Sequence, residues 1–257
     1  MPFPKKMFLL LGCLFWAARA AAQIVNIEEL RITGTNDSTR WYGSLKAAAN
    51  LTRIQKQILL LHGEGRVQYR KSGHLGLFLL NSDLIRTEDE DFTNAHFAHL
   101  RYTGKITPTF AWEAFAQAQV NRLLLLRHRE LLGAGLRLRL LKQFLRKNRA
   151  YVGTAIMPEW NEFLNDYPRS HWWRNSNYLS LTFRLPNGTA LVGTTYWQPV
   201  VGQIKNYRLS TEWALTLPIF KSLAFSSDLT FSRDRALPAA APPDFFIWKN
   251  GVVWQFR

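Results

Sequence analysis

Apolar and polar residues alternate along most of this chain. In WYGSLKAAANLT, Trp41, Gly43, Leu45, Ala47, Ala49 and Leu51 share one face, opposite Tyr42, Ser44, Lys46, Ala48, Asn50 and Thr52. RELLGAGLRLRL sets Leu132, Ala134, Leu136, Leu138 and Leu140 against Arg129, Gly133, Gly135, Arg137 and Arg139. NYLSLTFR and the stretch from Leu223 to Ser232 behave alike, and Phe246, Trp248, Val252, Trp254 and Phe256 fall on one side near the end. A period of two is the periodicity of a strand with unlike faces. TFAWEAFAQAQVNR also fits a helix, with Glu113, Gln117 and Asn121 at i, i+4, i+8. Read with period two, Phe110, Trp112, Ala114, Ala116, Ala118 and Val120 oppose Glu113, Gln117, Gln119 and Asn121, with only Phe115 out of place. Its neighbours decide for strand.

The pattern predicts strands near 39–52, 55–69, 74–87, 93–104, 109–122, 129–142, 148–160, 176–186, 189–200, 205–218, 222–235 and 245–256. Many alternating segments of about ten residues mark a transmembrane β-barrel, whereas strands of soluble sheets average about five or six. The expected fold is all-β, an antiparallel transmembrane β-barrel of about 12 strands, with Trp112 toward lipid and Glu113 toward the lumen. Short turns (KSGH, TGKITP, LPNGT, PIFK) are expected at the periplasmic end. Longer loops (RTEDED, NEFLNDYPRSHWW, VVGQIKN, RALPAAAPPD) are expected outside. The first hairpin, near Thr52-Arg53-Ile54, is short for an outer loop, and LKQFLRKN is long for a periplasmic turn. A basic amphipathic helix over 136–147 is the competing reading of that last region. IVNIEELRITGT reads as a periplasmic lead or a lumen insert.

The N-terminus adds a compartment. Lys5 and Lys6, an apolar run from Met7 to Ala18 and Ala20-Ala21-Ala22 form a Sec signal peptide over 1–22, cleaved after Ala22. Lipoprotein processing at Cys13 is the rival reading. The run is short for a membrane helix, which needs about 20 apolar residues. Residues 23–257 are then one exported barrel domain. Cys13 is the only cysteine, so cleavage leaves no disulfide framework and no cysteine metal site. Removing Lys5, Lys6 and Arg19 lowers the formal charge from +15 to +12. Export turns that basic surplus away from nucleic acid and toward anionic headgroups. The expected partners are outer-membrane lipids, including lipopolysaccharide, and the barrel-assembly machinery during biogenesis. The barrel is expected to be a monomer of the bacterial outer membrane.

Several segments resemble the DUF481 family of outer-membrane proteins, in its Bacteroidota form: VNIEELRI, WYGSL, NAHFAHLRY, WEAFAQAQVNR, RELLGAGLR, MPEWNE, YWQP, NYRL and PPDFF. The resemblance runs from about residue 25 to the C-terminus. It implies an outer-membrane barrel, with some members called salt-induced, and supplies no catalytic residue or cofactor. Val252, Trp254 and Phe256 resemble the C-terminal signal read by the assembly machinery. Here Arg257 follows where the pattern ends on the aromatic.

The predicted lumen carries Arg101, Arg137, Arg139, Arg184 and Arg208 with Glu113, Glu159, Glu212 and Asp228. Facing charges can line an ion-selective pore or pair into a plug. Both signs alternate here, which favours an envelope-structural barrel or a narrow, largely plugged channel. An anion-leaning specific porin and an outer-membrane lipid-modifying enzyme are the alternatives. His96 and His99 lie three apart on a strand, hence on opposite faces, so they cannot chelate one ion as a pair. No serine sits in a nucleophile motif. No catalytic residue, cofactor or metal site is therefore expected. Trp160, Trp172, Trp173, Trp197, Trp213, Trp248 and Trp254 suit interfacial girdles, with the Trp172-Trp173 loop pair as a possible carbohydrate platform. The run Glu88-Asp89-Glu90-Asp91 reads as a solvated loop tip or a cation site bridging lipopolysaccharide.

Overall fold

The structure, a computed structural model, describes residues 40–53, 57–87, 91–141, 148–220 and 223–254. These form one antiparallel sheet in which every strand pairs with its neighbours in chain order. The strands are β1 (Trp41–Arg53), β2 (Gln57–Lys71), β3 (His74–Thr87), β4 (Asp91–Lys105), β5 (Phe110–Asn121) and β6 (Leu126–Arg139). They continue as β7 (Arg149–Phe163), β8 (Ser170–Arg184), β9 (Ala190–Val200), β10 (Gln203–Phe220), β11 (Leu223–Asp234) and β12 (Asp244–Trp254). A 3-10 turn, Arg122–Leu124, joins β5 to β6. Within 109–122, Phe110–Asn121 is strand: context overrides its helical propensity.

Register shows how steeply the strands are staggered. The line of paired residues starts at His74, the first residue of β3, and runs through Gly104, Trp112, Leu136, Thr154 and Asn177. It continues through Trp197, Leu209 and Arg233 to Asp244, the first residue of β12. β3 starts at the end of the sheet that holds both chain ends, and β12 starts at the opposite end. The line therefore climbs the full height of the sheet. Strands tilted and sheared in this way allow a sheet to roll into a cylinder.

Rolling is visible in the side chains. β6 and β11 stand five strands apart, about 24 Å in a flat sheet at ~4.8 Å per strand. Even so, Arg129 on β6 donates a hydrogen bond to Asp234 on β11 at 3.1 Å. Tyr178 on β8 donates to Glu113 on β5 at 2.7 Å. The inner face is thus strongly concave. Among the described residues β1 pairs only with β2 and β12 only with β11, and the inward Ser44, Lys46, Asn50 and Thr52 of β1 remain exposed.

Faces follow the alternation. Trp41, Leu45, Leu100, Leu132, Trp160 and Trp248 are exposed on the outside, while Arg101, Glu113, Glu159 and Arg208 are buried on the inside. Phe115, the exception to the pattern, does face inward. Its Cα partner across the ladder is Gly133, and a Cβ there would overlap the Phe115 ring. A glycine across the ladder makes room for an aromatic in the lumen. On the lipid-type face, Gly193 makes the same concession to Trp213. Thr195 and Thr211 hydrogen bond at 2.7 Å and both accept from the Trp213 indole, so these outward polar groups satisfy one another.

β4, β7, β8 and β10 run longer than the pattern predicts, and connections beside them are correspondingly shorter. β8 begins at Ser170 rather than 176, so Trp172 and Trp173 are strand residues on opposite faces, and a loop platform is excluded. NEFLNDYPRSHWW shrinks to a connection over 164–169, and VVGQIKN to a two-residue turn at Val201-Gly202 with φ +79° at the glycine. Of RTEDED, Arg86 and Thr87 belong to β3 and Asp91 to β4; residues 88–90 lie outside the described residues. Strand polarity continues past any apolar band into water, and the hydrophobic pattern fades before the pairing does. Only 235–243 remains a long loop at that end. The helix reading of 136–147 is overturned as far as Arg139, which is in β6; 142–147 lie outside the described residues, as do 1–39 and 54–56.

Candidate functional site

Two buried networks of ion pairs fill the lumen between β4 and β11. The upper one lies toward the end opposite the chain termini and centres on Glu159, which is 0% exposed. Arg208 reaches it with two bonds, Nη1 to Oε2 at 2.9 Å and Nη2 to Oε1 at 3.0 Å. Arg174 Nε donates at 3.2 Å and Asn161 Nδ2 at 3.0 Å. Asp234 is the second anion. It accepts from Arg208 Nε at 2.9 Å, from Arg129 Nη2 at 3.1 Å and from the Ala236 backbone N–H at 3.1 Å. Arg129 also donates to Asn161 Oδ1 at 2.6 Å, and Arg174 to the Gln198 carbonyl at 2.9 Å. Three guanidinium groups and two carboxylates from β6, β7, β8, β10 and β11 are thus tied across the concave face.

The lower network centres on Glu113. Arg101 and Arg137 donate to its two oxygens at 3.1 and 3.2 Å, Thr103 donates at 3.1 Å, and Tyr178 crosses from β8 at 2.7 Å. Arg137 lies over the Tyr151 ring at 3.7 Å, and Arg101 over Phe115 at 4.8 Å. Such stacking suits a guanidinium plane and holds it in place. His99 faces the lumen, contacts Arg101 Nε and Gln117, and stacks between Phe97 and Phe115. His96 faces outward and bonds Ser82 at 2.9 Å. The two histidines do not meet. Among the described residues no group of three or more His, Cys, Asp or Glu side chains is placed to hold a metal ion.

A cavity of about 60 Å³ runs beside the upper network, from Arg101, His99 and Gln117 past Arg129 and Arg208 to Leu237 of the cap. It exceeds the ~15 Å³ that one water needs. Above the upper network the mouth is capped by apolar side chains. Leu124, Leu126 and Phe163 form a buried cluster, with Tyr167, Leu237 and Phe245 packed against it. The connections 122–125, 164–169 and 235–243 supply Leu124, Tyr167 and Leu237.

The structure divides the charged positions of the sequence pattern into groups. Arg101, Glu113 and Arg137 are together, and Glu159 and Arg208 are together. Arg139 is set apart near the termini end, bonding the Leu141 carbonyl at 3.0 Å. Arg184 is exposed at that same end, Glu212 is half-buried on β10, and Asp228 pairs in register with Lys249. Val252 and Trp254 face outward on β12, while Phe256 lies outside the described residues. Arg174, Asp234 and Asn161 belong to the upper network without any sequence expectation, and Arg129 had a face but no role. The signal for Arg174 was present: His171 and Trp173 alternate with Trp172 and Arg174 once the strand is allowed to start at Ser170.

The family described as "Protein of unknown function, DUF481" matches residues 31–244. The chain belongs to this family. The DUF481 match spans β1 to the first residue of β12 and so includes every residue of both networks. No curated protein matches the sequence. Among solved structures it is similar to the β domain of the Bordetella autotransporter BrkA, with 10% identity over 84% of this chain and 98% of that one and a TM-score of 0.33.

Proposed function

We propose that this DUF481 protein is a bacterial outer-membrane β-barrel with a closed lumen, acting as an envelope-structural element or a narrow, largely plugged channel. Residues 1–22 serve as its Sec signal, and Val252, Trp254 and Phe256 serve in assembly. The barrel closes by pairing β12 with β1, because an open sheet edge in hydrocarbon leaves backbone groups unsatisfied at several kcal/mol each. Outward strand faces rich in Leu, Trp and Phe fit the lipid contact. Outer-membrane lipids and the assembly machinery are its partners, and the barrel acts without a catalytic residue or cofactor.

The observation that carries the closed reading is the burial of the upper network. Glu159 and Arg174 are both 0% exposed. An aqueous pore would hydrate charged side chains on its wall; here Glu159 and Arg174 bond each other, and Arg208 reaches Glu159 from three strands away, beneath an apolar cap. The three arginines against two carboxylates favour an anion-leaning porin as the second reading, should that plug move aside.

Single-channel recording of the refolded protein in a planar bilayer tests the choice. A silent bilayer from correctly folded protein supports the closed lumen. Steady conductance with a reversal potential on the anion side overturns it and makes the arginines a filter.

A further inference from the structure

A second concavity lies on the outward face over β4 to β7, with a volume of about 840 Å³. Its floor is Ala98, Ala116 and Ala118, residues small enough to leave a trough between the larger flanks. Leu100, Leu132 and Trp160 form its walls. The charges gather at one end only, the end opposite the chain termini. There Glu162 meets Arg169 at 3.3 Å and Arg127 at 3.9 Å, and Glu130 meets His128 at 2.8 Å. An apolar trough with one ionic end has the polarity of an amphiphile lying along the strands with its head outward.

The signs at that end identify the head. Arg169, with Arg127 beside Glu162 just beyond the groove, offers positive charge, and Glu130 and Glu162 offer negative charge at the rim. A cluster of phosphates alone would meet the two carboxylates unfavourably; a head bearing both phosphate and ammonium matches both signs. The existing pairs are exposed, with Arg169 at 78% and Glu130 at 60% of their side-chain surface. Such pairs are worth little and exchange readily for a ligand's charges. A second copy of the chain is a poor fit, since a two-fold contact would set hollow against hollow. We propose that this groove is a binding site for an outer-leaflet phospholipid with a phosphate–amine head, phosphatidylethanolamine being the simplest. The acyl chain lies over Ala116, the phosphate faces Arg169, and the ammonium faces Glu130. The proposal rests on the outer-membrane reading above.

The full-length mature protein, refolded into vesicles of equal phosphatidylethanolamine and phosphatidylglycerol and extracted in mild detergent, is analysed by native mass spectrometry. Phosphatidylglycerol shares the phosphate, so the single ammonium–Glu130 contact predicts about two- to fivefold enrichment of phosphatidylethanolamine on the protein. Ala116→Trp fills the trough and removes bound lipid of both kinds. Arg169→Ala with Glu130→Ala keeps a lipid bound but loses the preference. Heat-modifiable gel mobility reports the membrane barrel separately. Normal mobility with equal retention of both lipids, or with none, overturns the groove alone. A dimer abolished by Ala116→Trp assigns the groove to a second copy and overturns it too. Loss of heat modifiability in the parent protein removes the barrel reading and the lipid site together.

Discussion

Replacing Glu159 by alanine tests whether the upper network holds the lumen together. Its carboxylate accepts four hydrogen bonds: two from Arg208, one from Arg174 and one from Asn161. Truncation leaves Arg129, Arg174 and Arg208 sharing Asp234 alone, all of them buried. Breaking a buried pair on one side costs about 3–5 kcal/mol, because the orphaned charge stays desolvated. We expect about 4 kcal/mol for Glu159→Ala within that range. Glu159→Gln keeps the shape and one acceptor oxygen and should lose roughly half as much, since a neutral hydrogen bond is worth about half a charged one. Glu130→Ala, exposed on the outer face, should cost less than about 0.5 kcal/mol. Urea unfolding of detergent-refolded protein, followed by tryptophan fluorescence, measures all three. A loss below about 1 kcal/mol for Glu159→Ala would refute the reasoning. It would mean that water already reaches these arginines and that the walls are held together elsewhere.

Gly133→Val drives a side chain into the Phe115 ring and should cost about 1–3 kcal/mol by overpacking; Phe115→Ala in the same chain should recover part of it, and strict additivity would count against the contact. Phe163→Ser with Leu237→Ser opens the apolar cap, so current bursts should appear in a bilayer that the parent leaves silent; continued silence would place the seal in the ion network instead. Closure between β12 and β1 is checked by single cysteines along 43–51 and 246–252 on a Cys13→Ser background. At least one pair should oxidise to a disulfide within the monomer, and a complete scan with none would leave the seam open.

Much of the fold is legible because the alternation has one cause repeated twelve times, a sheet with unlike faces. Even the helix-like TFAWEAFAQAQVNR is decided by the strands around it. Strand ends are less legible. Where both faces meet water, as at Ser170-His171-Trp172, no contrast remains to mark where pairing stops. The networks lie beyond reach for a different reason. Alternation places Glu159 and Arg208 on the inner face, but their bond depends on how the sheet curls and on the stagger accumulated between β7 and β10. Arg129 and Asp234 stand five strands apart, and no local pattern encodes their meeting.

A polar lumen follows from how an exported barrel is made. Strands apolar on both faces would present long hydrophobic runs, and about 20 such residues suffice to halt a chain in the inner membrane as a helix. On the export reading proposed above, alternation, with a mean hydropathy of −0.16, lets the chain cross the inner membrane unfolded without halting there. The cost reappears on folding, when every second residue turns inward. A wide barrel can leave those residues in water; this one excludes water around Glu159 and must pair them instead. Buried ion pairs are seldom more stabilising than apolar packing, yet apolar packing is what export forbids. The pairing therefore has to be nearly complete and geometrically fixed; Arg174 Nη2, 3.8 Å from Asp234, is buried without a hydrogen bond. Arg208 accordingly forks onto Glu159 while its Nε holds Asp234, joining β7, β10 and β11 through one side chain. Such a lumen sets the stagger of its own strands: sliding β10 by two residues against β7 would keep every face correct and break both bonds.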